Sequence, residues 1–98
     1  MKRKLILFYS RRCGKCHAIN KRVERLIKEG LFPLEYEKID VFEQKDLVGK
    51  YLVDGVPTVI LLDSNKEIKR IKGSMYREDI IDFIKWKDGF YGWGIDYQ

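Results

Sequence analysis

Two cysteines and one histidine stand together as Cys13-Gly14-Lys15-Cys16-His17, and they are the only Cys and His residues in the chain. Two thiols at this spacing can form a redox-active pair, supply half of a zinc site, or, with the following histidine, carry a covalently attached haem. Structural zinc ordinarily takes four Cys or His ligands, and the chain holds two Cys and one His. Haem attachment needs an export route and a distal axial ligand, for which Met75 is the obvious sulfur. A disulfide inside one tight turn closes too short a loop to add much fold stability. The pair therefore points to thiol chemistry rather than to a staple, with zinc and haem as the alternatives. His17 is read as a solvated or locally hydrogen-bonded neighbour of the motif; tuning of the thiols is its other reading.

Dithiol chemistry depends on what positions the sulfurs. Lys4–Ser10 is a short apolar run followed by charged, turn-like residues, which predicts a buried strand. Ile19, Val23, Leu26 and Ile27 then recur at helical spacing, and Gly30 is a stop, so a helix is expected from about Cys13 to Glu29. Cys13 thus falls where a strand ends and a helix begins. Unpaired N–H groups and the positive end of the helix dipole favour an anion there. Only the thiolate attacks disulfides, and cysteines in such settings titrate at roughly 3.5–7.5, against about 8.5 unperturbed. Arg11, Arg12 and Lys15 add positive charge. Cys13 is the expected nucleophile. Cys16, one turn on, shares a face with residues 19, 23 and 27, so it should be shielded and act as the resolving thiol.

The remaining pattern gives strands at Leu34–Val41, Thr58–Leu62 and Glu67–Lys72, a short helix at Asp46–Leu52 and a last helix at about Arg77–Lys87. The order is β-α-β-α-β-β-α. It implies an α/β domain: a right-handed parallel crossover first, a hairpin later, and a four-stranded mixed sheet with helices on both faces. Ninety-eight residues, 45% of them hydrophobic, make one core and one domain. The net charge of +5 is spread over interleaved acids and bases, which speaks against nucleic acid as a partner. No apolar run approaches the roughly 18–20 residues of a membrane span. The basic start and the five apolar residues Leu5-Ile6-Leu7-Phe8-Tyr9 mimic a signal peptide, but Arg11, Arg12 and Cys13 stand where a cleavage site would be. A cytoplasmic monomer is expected.

Three landmarks together resemble the thioredoxin/glutaredoxin superfamily. Phe8-Tyr9-Ser10-Arg11-Arg12-Cys13-Gly14-Lys15-Cys16 resembles its strand-to-motif junction. Gly55-Val56-Pro57-Thr58 resembles the loop whose proline is cis in that family, and Gly73 resembles the glycine before the last helix. The resemblance implies a thioredoxin-like fold over residues 1–88 and a protein-disulfide reductase acting through Cys13 and Cys16. It also implies a cis Pro57 that leaves the backbone of Val56 to meet an extended substrate and closes the site to metals. Arg12 and Lys15 flank the sulfurs and are candidate substrate contacts. No metal or organic cofactor is implied; electrons would come from a thioredoxin reductase or from glutathione. Arg11, Lys15, Thr58 and Asp79 are the candidates for glutathione's charged ends.

The departures matter. Arg12 stands where thioredoxins usually have Trp, Lys15 where they have Pro, and Leu7 where a buried acid helps to deprotonate the resolving Cys. The short start and Tyr9-Ser10 look more like glutaredoxin, while the half from Pro57 to Lys87 looks more like thioredoxin. A non-enzymatic binding module on the same fold is the reading from another class. Residues 89–98 form an aromatic extension that could cover the domain, dock a partner or lipid surface, or stay disordered.

Overall fold

A computed structural model describes residues 2–85. Its elements are β1 (Arg3–Tyr9), α1 (Gly14–Lys28), β2 (Glu35–Asp40), α2 (Lys45–Lys50), β3 (Thr58–Asp63), β4 (Lys66–Lys72) and α3 (Arg77–Ile84). The expected end of the last helix at Lys87, the domain end at residue 88 and the aromatic extension 89–98 fall outside the described residues. The strands form one mixed sheet in the order β2-β1-β3-β4. β1 runs parallel to β2 and antiparallel to β3, and β3 and β4 are antiparallel. β3 and β4 are joined at Ser64-Asn65, both at positive φ, as a two-residue turn matching the strand twist requires.

Both central strands, β1 and β3, are buried on two faces, which explains their continuous rather than alternating apolar runs. Alternation instead sorts their residues between two cores. Leu5, Leu7, Val59 and Leu61 face α1 and α3, with Ile19, Val23, Leu26, Ile80 and Phe83. Ile6, Phe8, Ile60 and Leu62 face the other way, with Ile39 and with Leu47, Val48 and Tyr51 of the α2 segment. The helices therefore cover both faces, as the element order implies.

The inward stripe of α1 is Cys16, Ile19, Val23 and Leu26. Ile27, expected on that stripe, is instead 45% exposed. At 100° per residue the sets ending at 26 and at 27 span equal arcs of about 80°, so the period alone does not choose between them; packing against the sheet turns the Ile19/Leu26 side inward. Both α1 and α2 end in the same hydrogen-bonded motif. At α1, Gly30 N–H reaches Ile27 and Leu31 N–H reaches Leu26; at α2, Leu52 N–H reaches Gly49 and Val53 N–H reaches Val48.

Candidate functional site

β1 and β2 run parallel, so both carboxyl ends emerge at one edge of the sheet, the place where open α/β sheets leave a crevice. Tyr9 lies opposite Asp40 there. β3 enters from the same edge, with Thr58 opposite Phe8. The chain therefore brings three segments together: Ser10–Cys16 after β1, Val41–Lys45 after β2 and Val53–Pro57 before β3.

Cys13 is the N-cap of α1. Its backbone is extended (φ −94°, ψ 103°), its N–H reaches Ser10 O at 3.2 Å, and its carbonyl accepts from His17 N–H at 3.2 Å. Its Sγ accepts a hydrogen bond from Cys16 N–H at 3.1 Å. The sulfur thus takes the place of the side-chain oxygen that usually satisfies these orphan donors. The first turn of α1 contains no carboxylate to offset the positive end of the helix. Cys13 and Cys16 are joined as a disulfide. Cys13 is half-buried, whereas Cys16 is 1% exposed. Cys13 is thus the more accessible residue of the pair, and Cys16 continues the core stripe.

The charges divide unevenly. Arg11, counted with the cations around Cys13, is turned to acids: its guanidinium lies 2.7 Å from Glu43 and 3.4 Å from the buried Asp40. Asp40 also accepts from Phe42 N–H at 2.9 Å. Arg12 and Lys15 are exposed and have no carboxylate partner among the described residues. His17 is exposed and its Nε2 lies 2.9 Å from Arg11 O, the local hydrogen bond expected of it.

The Val56–Pro57 peptide bond is cis. Pro57 is buried and Val56 half-buried. Thr58 Oγ1 donates to Gly55 O at 2.7 Å and Gly73 N–H to Pro57 O at 3.1 Å, which fixes the loop from both sides. Among the described residues, the backbone of Val56 makes no hydrogen bond. A cavity of about 530 Å³ runs from this loop to Ser10 at the end of β1; Ser10, Val41, Phe42, Lys45, Val48 and Val56 line it. A second cavity of about 540 Å³ shares Ser10 and Phe42 and reaches Arg12. Phe42 is 73% exposed over both.

Cys13, Cys16, Arg12, Lys15, Val56 and Pro57 all fall at this edge. The four glutathione candidates do not converge. Thr58 is buried with its hydroxyl already used, and Arg11 is paired. Asp79 accepts from Tyr76 N–H at 2.8 Å at the start of α3, where Arg77 pairs with Glu29 of the far end of α1. Phe42, Lys45 and the pair Asp40/Glu43 escaped the sequence reading. No local pattern marks them; only the expected parallel pairing places Asp40-Val41-Phe42-Glu43 beside the segment that delivers the cysteines.

A profile described as Thioredoxin matches residues 1–86. A thioredoxin H-type from Fagopyrum esculentum is 35% identical over 63 residues, covering 63% of this chain and 53% of the relative. The protein disulfide isomerase-like 1-3 of Arabidopsis thaliana is 33% identical over 85 residues, covering 85% of this chain and 14% of the relative. Among solved structures, a mutant thioredoxin from Halobacterium salinarum superposes with a TM-score of 0.78 at 27% identity, over 93% of this chain and 79% of that one. The chain spans about half or less of the length of these curated relatives.

Proposed function

The chain belongs to the thioredoxin family, and from that premise we propose that it is a thiol–disulfide oxidoreductase that reduces protein disulfides through Cys13 and Cys16. The observation that carries this reading is the asymmetry of the pair: a half-buried cysteine capping a helix that has no acid in its first turn, joined to a cysteine in the core.

In the reduced protein, the Cys13 thiolate attacks one sulfur of a substrate disulfide. A Cys13–substrate bond forms and the other substrate sulfur leaves as a thiolate that takes up a proton. Cys16, once deprotonated, attacks Cys13 Sγ, re-forms the Cys13–Cys16 disulfide and expels the second substrate thiolate. Two electrons and two protons pass to the substrate. The chain ends in the disulfide state, and a thioredoxin reductase or glutathione returns it to the dithiol.

Val56, with its backbone groups unengaged among the described residues, suits pairing with an extended substrate segment. The apolar cavity beside it, under Phe42, suits one of that segment's side chains. No metal or organic cofactor takes part in these steps. A cytoplasmic setting, with its reducing poise, favours the reducing direction.

Insulin reduction with dithiothreitol as donor tests the reading. Wild type should accelerate precipitation of the insulin B chain and Cys13→Ser should not. Equal rates for the two would sink the enzyme reading and leave a binding module on this fold. Supplying a thioredoxin reductase or glutathione in place of dithiothreitol then identifies the donor.

A further inference from the structure

Resting on the dithiol reading, we infer that the preferred substrates are polypeptide disulfides with an acidic side chain beside the attacked cysteine, selected by Arg12 and Lys15. The charges around the sulfurs are unevenly paired. Three of the acids at this edge are engaged: Asp40 and Glu43 by Arg11, and Asp54 by Lys72 at 2.8 Å, which holds the Asp54 carboxyl below the usual carboxylate range; exposed Asp46, in the first turn of α2 beside Lys45, has no ion pair among the described residues and offsets that lysine. Three cations are left without an ion pair among the described residues. Arg12 precedes Cys13, Lys15 lies in the first turn of α1, and Lys45 lines the apolar cavity. All three are exposed, and the end of α1 that Arg12 and Lys15 flank is itself positive. A substrate approaching Cys13 therefore meets a positive rim next to an apolar hollow. An acidic residue finds a partner there, a basic one is repelled, and the hollow takes a side chain that a small thiol lacks.

These charges also favour the Cys13 thiolate, which speeds every substrate alike. The readout is therefore a ratio of rates. Two disulfide-linked peptides of equal length, identical except for Glu or Lys next to the cysteine, are reduced by the dithiol protein at low and at high salt. The Glu peptide should react at least about threefold faster at low salt, and the ratio should fall toward one as salt screens the exposed charges. The double variant Arg12→Glu/Lys15→Glu should reverse the preference. Equal rates for the two peptides, or a ratio unmoved by salt in the unaltered chain, overturn the inference and leave the dithiol reading intact. A preference retained by the double variant overturns the assignment to Arg12 and Lys15. Oxidised glutathione reduced faster than the Glu peptide overturns the polypeptide assignment. Reduction of neither peptide removes the dithiol reading itself.

Discussion

The backbone N–H of Cys16 donates to Sγ of Cys13 across 3.1 Å, so the contact that favours a charged Cys13 comes from its partner's main chain, not its side chain. Replacing the Cys16 side chain should leave Cys13 reactive but unresolved. Cys16→Ser is expected to accumulate mixed disulfides with substrate, visible by mass under non-reducing conditions, while Cys13→Ser forms none. In the reduced wild type, half-exposed Cys13 should alkylate at least about tenfold faster than buried Cys16. Adducts on Cys16 in the Cys13→Ser variant would reverse the two roles.

Gly30 and Leu52 hold the same place after their helices, both at positive φ (74° and 54°). Gly30 occupies this region without a steric penalty, whereas a β-carbon there costs roughly 1–2 kcal/mol. Leu52 recovers nothing by packing, since it is 81% exposed. Leu52→Gly should therefore raise stability by about 0.5–1 kcal/mol after glycine's extra chain entropy is deducted, read as a higher urea midpoint with unchanged slope. A lower midpoint would show that the Leu52 side chain contributes a contact.

Gly30 and Leu52 differ in how far their sequence announces their conformation. Gly30 announces a helix end because glycine has a local reason to be there; Leu52 occupies the same conformation only because the bonds from Val53 and Leu52 back to α2 demand it. Strands β1 and β3 were legible as unbroken apolar runs, and α1 as a period. The cysteine pair was legible because so few residue types do its chemistry. Arg11 was not: its neighbours in sequence make it a cation beside the thiols, and only the parallel pairing of β1 with β2 delivers Asp40 and Glu43 to it. Contacts between segments about thirty residues apart have no local signature. The same holds for Phe42, whose exposure over the cavity depends on where β2 ends.

Acid should weaken the fold in a defined window. Arg70 donates to both oxygens of Glu67, at 2.6 and 2.7 Å, and holds its carboxyl below the ordinary value. The same guanidinium donates to Tyr51 O at 2.7 Å, tying β4 to the end of α2. A folded-state pKa below the unfolded one stabilises above the unfolded value, about 4.3 for Glu, and that stabilisation is lost as pH falls through the folded value. Glu29, lowered by Arg77 and Arg25, acts in the same sense. The urea midpoint should be flat near neutrality and decline below about pH 4.3. Glu67→Gln should cost about 0.2–1 kcal/mol at pH 7 and converge with wild type in acid. A constant difference at all pH values would mean that the loss is one of packing.

Leu7 occupies the position at which the family resemblance implies a buried acid, and it is 1% exposed in the core shared by Ile19, Val23 and Val59. A carboxyl introduced there meets apolar walls. Leu7→Asp should cost about 3–5 kcal/mol at pH 7 through lost packing and an unpaired buried polar group. Leu7→Asn loses nearly the same packing without a titrating group, so the difference between the two isolates the charge. Burial raises the folded pKa of the new carboxyl above its unfolded value of about 3.9. The unfolded chain then releases its proton first as pH rises, and Leu7→Asp should lose stability relative to Leu7→Asn between about pH 4 and neutrality, the opposite sign to Glu67. Parallel pH profiles for the two variants would mean that water or a cation reaches position 7, and that a base beside the resolving thiol would be compatible with this core.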